Sequence, residues 1–291
     1  MHRHVHSYRV SLDAILTPFE RKHAVYSFDV LGTMALIEIP KELQKKKKKI
    51  ARTLLDTHAQ LNRVYEKIGE HSGKYRVEKI RWLAGEKNPV AHYTEWGCTF
   101  SVHPGKVFFN PRLSTERQRV VMEIKPAQSV AVFFSGVGPY PILIAKHQRP
   151  SRVYAIEWNK SAQPFVEENI RRNKVVGKIV PIWGDVEKVP VLEKCDHVVM
   201  PAPDTAISYL SSALRWCKPK GKIHLYLFVD ASSTIHDVYS LIQKKGFSSP
   251  SFRILSYRKV SDFSARKQQW CVILQPFTKK ASSFNKKKRT Q

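Results

Sequence analysis

The stretch VAVFFSGVGPYPILIAK, residues 130–146, reads as a strand that runs into a glycine turn and then into a helix. Val130 to Phe134 is a short apolar run closed by that turn, the pattern of a buried strand. A strand, a Gly136-Val137-Gly138 turn and a helix in succession bring bare backbone N–H groups up to a ligand at the helix N-terminus. Just upstream, FNPRLSTERQR (109–119) sets Arg112, Glu116 and Arg117 beside this loop. A nucleotide-like cofactor next to a reactive carboxylate points to group transfer, not to binding alone.

Working outward, the chain alternates strand and helix from Glu116 onward. Strands are expected at Val130–Phe134, Val153–Glu157, Ile179–Ile182, His197–Met200 and Ile223–Val229, with helices between them, such as Ala162–Asn173 and Thr205–Trp216. A βαβα rhythm implies a mainly parallel sheet covered on both faces, an α/β Rossmann-like fold. Two last strands, near Phe252–Val260 and Trp270–Leu274, close the sheet edge as a hairpin. These elements define a second domain over 116–278, followed by a basic tail, 279–291, that is expected to be disordered.

Residues 1–115 read as a small α+β domain. AVYSFDVLGTMALIEIP (24–40) holds two apolar strands around a Gly32 turn. LQKKKKKIARTLLDTHAQLNRVYEKIG (43–69) reads as one helix, with Ile50, Leu54 and Leu61 on its apolar stripe. Lys45 to Lys49 wrap more than a turn of it, either as a solvated face or as a contact for RNA phosphate. Shorter strands are expected around Trp82 and over Thr99–Val107.

Composition favours a polyanionic partner. The 291 residues hold 50 Lys plus Arg against 24 Asp plus Glu, a formal charge of +26. Such a field attracts phosphate backbones. No apolar run approaches the ~18 residues of a membrane span, and no signal peptide is visible. Cys98, Cys195, Cys217 and Cys271 form no C-x-x-C pair. They read as reduced, buried thiols of a cytoplasmic protein without a structural metal. His2, His4 and His6 read as part of a mobile basic terminus.

The cofactor pattern has three parts. Gly136-Val137-Gly138 supplies a G-x-G, but Pro141 stands where a dinucleotide fingerprint needs its third glycine. Glu157 follows 19 residues beyond Gly138 at the end of the second strand, where a carboxylate can accept both ribose hydroxyls. Asp185 follows the third strand, placed to receive an adenine amino group. Glycine loop, ribose acid and adenine acid in this order suit S-adenosylmethionine.

These residues also carry a family resemblance. From about Tyr26 to Leu274, some 85% of the chain, the sequence resembles the archaeal and eukaryotic tRNA (guanine-37, N1)-methyltransferases. The matching stretches are SFDVLGTMALIEIP, HSGKYR, WLAGE, VFFNPRLSTERQR, FFSGVGPYPILIAK, VYAIEWN, ENIRRNKV and GD. The resemblance implies a class I methyltransferase fold, S-adenosylmethionine as donor and the anticodon stem-loop of tRNA as acceptor, with the enzyme a monomer. It places Phe134, Gly136, Val137, Gly138, Glu157, Trp158, Asp185, Val186 and Pro201 around the donor. The family's N-terminal tRNA-body domain is absent or reduced to the first 20-odd residues.

The same resemblance assigns roles in the chemistry. N1 of guanine carries a proton and is a poor nucleophile until a carboxylate takes it. Glu116 matches the family's general base. Arg76 matches the arginine that holds O6 and stabilises the charge developing there. Arg112 organises its loop or contacts phosphate. Phe108 falls where the family often has tyrosine near the target base, and Pro203 lies beside that base.

Two positions depart from the pattern. Val132 stands where the first motif has Asp, and Pro201-Ala202-Pro203 replaces an Asn-Leu-Pro. The first change removes a contact to the methionine part of the donor, the second a side-chain amide near the target. Methyl transfer to N1 of guanosine 37 is the function expected. The alternatives are aminocarboxypropyl transfer in wyosine synthesis and a basic RNA-binding module with a decayed pocket.

Overall fold

The computed structural model describes residues 7–72, 77–247 and 252–277. Two sheets dominate it. The first has four strands: β1 (Asp29–Leu31), β2 (Met34–Glu38), β3 (Arg63–Ser72) and β4 (Val77–Gly85), in that spatial order. Gly32, at φ 60°, makes the β1–β2 turn, where a Cβ would collide with the His92 carbonyl. The β2–β3 pairing is parallel, so the chain must cross over between them.

Helices α1 (Tyr8–Ile15), α2 (Pro18–Arg21) and α3 (Lys47–Thr57) precede β1 or fill this crossover. Leu12, Leu43, Ile50 and Leu54 seal one face of the sheet. The expected helix over 43–69 is shorter: α3 ends at Thr57, and RVYEKIG is β3. Leu61 keeps the apolar contact read as a helix stripe, but from the loop that feeds the strand. Pairing with β2 and β4 overrides the local helical spacing. Lys46 is bonded to Glu20 at 2.6 Å and Lys47 lies 3.6 Å from the buried Glu66, while Lys45, Lys48 and Lys49 are exposed.

A hairpin, β5 (Ala91–Glu95) and β6 (Cys98–Val102), leads to α4 (Ser114–Glu123) and the second sheet. That sheet contains β7 (Ser129–Phe133), β8 (Arg152–Glu157), β9 (Ile179–Trp183), β10 (Cys195–Met200), β11 (Cys217–Asp230), β12 (Phe252–Ser264) and β13 (Lys267–Pro276). The order is β12-β13-β11-β10-β7-β8-β9, parallel from β9 to β11 and closed by an antiparallel hairpin, as the sequence implies. Helices α5 (Pro139–His147), α6 (Gln163–Arg172), α7 (Leu210–Trp216) and α8 (Ile235–Lys244) follow the strands. Strand order reverses at β7, so a crevice opens beyond the carboxyl ends of β7 and β10, where α/β sheets place their ligands.

All four cysteines are buried and unpaired. Val132 is fully buried between Ala155 and Val199. Among the described residues no helix is long and apolar enough to cross a membrane. Arg76, His2, His4, His6 and the 279–291 tail lie outside the described residues.

Candidate active site

The glycine loop leaves β7 with three residues in left-handed backbone: Phe134 (φ 54°), Gly136 (56°) and Gly138 (87°). Phe134 has a side chain in that region, a conformation that costs about 1 kcal/mol or more and collects at functional sites. Its ring packs edge-on to Tyr209 at 5.2 Å. Gly138 caps α5 and Pro139 starts it, where a missing N–H and a fixed φ are both favourable. Val137 is buried, and Ser135 Oγ is buried without a protein partner.

Glu157 closes the loop from β8. Gly136 N–H donates to its Oε2 at 2.7 Å and Asn159 N–H to its Oε1 at 2.7 Å. Burial raises its pKa, opposed by these backbone donors and by that of Trp158. Glu157 therefore fastens the loop. Asp185 accepts Glu187 N–H at 3.0 Å and orders its own turn. Val186 is 3% exposed and belongs to the core.

A cleft of roughly 320 Å³ lies beside this loop. One wall is the first sheet, through Asp29, Lys67 and Glu78; another is the 107–113 segment; a third is Pro201 and Pro203 after β10. The β12–β13 hairpin completes it with Asp262, Phe263 and Gln269. Asp29 joins the walls electrostatically, accepting from Lys67 and from Arg112, each at 2.5 Å. The Lys67 and Arg112 charges hold its pKa low against the cost of burial. The glycine loop packs against the 107–113 wall of this cleft, where a Cβ at Gly136 would lie 3.5 Å from the Phe108 carbonyl.

Glu116 stands behind the cleft, not in its lining. It is 5% exposed and receives Arg119 Nη2 at 2.7 Å, Arg119 Nε at 2.9 Å and the Tyr226 hydroxyl at 2.7 Å. Tyr226 faces Cys271 across β11 and β13, and the next pair on the same face, Phe228 and Gln269, lines the cleft. Glu116 thus lies one rung below the floor.

The NPRL segment is anchored by Arg117, which forks onto Glu95 at 2.6 and 2.5 Å and reaches the Asn110 carbonyl at 3.0 Å. Asn169 and Asn173 of α6 pair with the backbone of β6. Asn169 accepts Ser101 N–H at 2.7 Å and donates to the Val137 carbonyl at 3.0 Å; Asn173 accepts Thr99 N–H at 2.9 Å. ENIRRN is therefore a clamp between hairpin and glycine loop.

The structure brings Phe108, Arg112, Pro201 and Pro203 to one cleft and Phe134, Gly136, Gly138, Glu157 and Trp158 to the adjoining loop. Asp29, Lys67 and Gln269 had no local signal. Their places depend on pairings across the sheets, which no short motif records.

Comparison with known proteins identifies the family. Residues 91–247 match the TRM5/TYW2 methyltransferase domain and residues 8–88 the TYW2 N-terminal domain. The tRNA (guanine(37)-N(1))-methyltransferase Trm5b of Pyrococcus abyssi is 37% identical over 78% of this chain and 66% of its own. Its crystal structure superposes with a TM-score of 0.82 at 30% identity, covering 96% of this chain and 82% of that one. The tRNA 4-demethylwyosine(37)-methyltransferase Taw21 of Saccharolobus solfataricus is 33% identical over 70% of this chain and 78% of its own. The aTrm5 complex with tRNALeu superposes with a TM-score of 0.82 at 26% identity, over 94% of this chain and 79% of that one. With a family-model match over more than half its length and a relative 37% identical to it, this chain belongs to the TRM5/TYW2 methyltransferase-domain family, whose donor is S-adenosylmethionine.

Proposed function

We propose that this protein transfers a methyl group from S-adenosylmethionine to N1 of guanosine 37 in tRNA. The observation that carries the reading is the packing of the glycine loop, at Gly136, against the Phe108 backbone that forms one wall of the cleft. The loop fits the donor: Ser135 Oγ is buried and unpartnered, and Glu157 keeps lone pairs beyond those its backbone donors use. The donor supplies an electrophilic methyl carbon.

The protein's own groups do the rest. Phe108, 38% exposed, offers a ring on which the base stacks. Arg112 and the basic surface hold phosphates, and Arg76 donates to O6. Glu116, which accepts from Arg119 and the Tyr226 hydroxyl, takes the N1 proton once the base reaches the cleft floor. Aligning base and donor supplies much of the rate.

The test is transfer to unmodified tRNA bearing G37, with donor labelled on the methyl group or on the methionine carboxyl, followed by nucleoside mass analysis. Methylated guanosine carrying only methyl label supports the reading. A second reading, action on a wyosine precursor at the same position, draws support from the TYW2-type match over 8–88 and from Pro201-Ala202-Pro203, which offers no side-chain amide. Carboxyl label in the RNA, or product only from 4-demethylwyosine, selects it. No product from bound tRNA selects the decayed module.

A further inference from the structure

Gln269 lies on β13, opposite Phe228 of β11 and Ser261 of β12, and all three line the cleft. It is 5% exposed, yet its Nε2 has no hydrogen-bond partner in the protein. Its neighbours differ: Gln268 accepts from Trp270 Nε1 at 3.1 Å, and Gln275 donates to the Lys220 carbonyl at 2.8 Å. A buried amide donor left unpaired is destabilising, and an apolar side chain of the same size would cost less. Such a group on a cleft floor calls for a ligand that completes it.

The surroundings define that ligand. Phe108, Phe109, Phe228 and Phe263 set four aromatic rings in the cleft lining, with the Phe228 and Phe263 rings 4.4 Å apart. A flat aromatic ring fits there, and the group that meets an N–H donor is a ring carbonyl. In a purine with oxygen at C6, that carbonyl adjoins N1. Gln269 is one rung above the Tyr226–Cys271 pair at Glu116, so a base with N1 toward Glu116 brings its O6 toward the amide. The 201–203 turn supplies no competing carboxamide.

We propose that Gln269 is a specificity-determining residue that donates from Nε2 to O6 of the target purine. This rests on the methyl-transfer reading above. When N1 gives up its proton, charge moves onto O6 and the bond strengthens, so Gln269 acts on turnover as well as on recognition.

The test compares binding of full-length protein to two tRNAs, one with guanosine and one with 2-aminopurine at position 37, which lacks O6. Wild type is expected to bind the guanosine tRNA about tenfold more tightly. Q269L is expected to bind the guanosine tRNA about threefold or more weakly, narrowing the ratio while Arg76 keeps the remainder, to lower kcat more than it raises KM, and to melt at a higher temperature than wild type. An undiminished ratio in Q269L, absence of discrimination in wild type, or a lower melting temperature would each overturn the assignment. The two readings fail separately. Discrimination narrowed in Q269L, with no methyl transfer by wild type, removes the reaction and keeps the contact. Methylation of G37 by both proteins at equal kcat/KM removes only Gln269.

Discussion

The Tyr226 hydroxyl spends its proton on Glu116 Oε1 at 2.7 Å, so Tyr140, 3.0 Å away, must be the donor to Tyr226. A directed chain thus runs from the first turn of α5, beside the glycine loop, to the carboxylate under the cleft. Both phenols are fully buried, and burial raises both pKa values, so each stays protonated.

Glu116→Ala is expected to abolish transfer and leave tRNA affinity within about twofold, because the carboxylate is beneath the binding surface. Tyr226→Phe, which strands the Tyr140 hydroxyl, should cost about 1–3 kcal/mol of stability and lower turnover without weakening tRNA. Equal loss of binding and turnover in Glu116→Ala would make this carboxylate purely structural. Single-turnover kinetics and filter binding separate the outcomes.

Glu157→Ala should weaken the donor at least about tenfold and leave tRNA binding unchanged, loss of one or more charge-assisted hydrogen bonds being of that order. Burial raises the Glu157 pKa, so the carboxylate protonates at a pH above the usual carboxylate range. The donor needs the ionised form, so its affinity should fall as pH drops through that raised pKa. Folding carries the opposite sign: the stability this group contributes is full at low pH and is lost as pH rises through the same value. Calorimetric titration of donor across the acid range, in wild type and Glu157→Ala, checks both.

His197 and His224 are stacked in the sheet with ring nitrogens 3.0 Å apart. Burial, then the Lys222 charge, holds the His197 pKa down to about 4, against weaker opposing effects of Glu123 and Asp196. Its unfolded form protonates near 6.5. Stability should therefore be complete above that pH and decline as pH falls toward 4, by about 3 kcal/mol at most from this group. His197→Phe should flatten that part of a melting-temperature profile; an unchanged slope would remove the pair from the acid response.

Glu95→Ala leaves the Arg117 guanidinium buried without its carboxylate and should cost about 3–5 kcal/mol. Arg112, 78% exposed in its side chain, should behave otherwise: Arg112→Ala weakens tRNA with little effect on melting and reduces the slope of log K against log salt by about one. Urea denaturation and salt-dependent binding distinguish anchor from contact.

The strand–turn–helix around Gly136 was legible because every residue that defines it lies within a few positions of the next. The parallel sheet and its closing hairpin followed from the same local rhythm. The 43–69 segment was misread because α3 and β3 share apolar spacing until Leu61, and only pairing with β2 decides between them. Glu116 was legible as a residue but not as a geometry. Its partner Tyr226 comes from a strand more than a hundred residues away, and so does Gln269 on the cleft floor.

Asn169 binds the Ser101 backbone and the Val137 carbonyl with one carboxamide, which makes the β5–β6 hairpin and the donor loop a single mechanical part. A one-residue slip of β6 would turn each of its side chains to the opposite face and pull the loop with it. Length is therefore constrained from Ser101 to Gly136 as tightly as residue identity, whereas the Trp96-Gly97 tip is held separately, by the Trp96 ring stacked on His147 at 3.8 Å and the Trp96 carbonyl 2.9 Å from His147 Nε2. Insertions that lengthen the tip and insertions that lengthen the 101–110 segment should thus have unrelated fates, though the two sites are only a few residues apart.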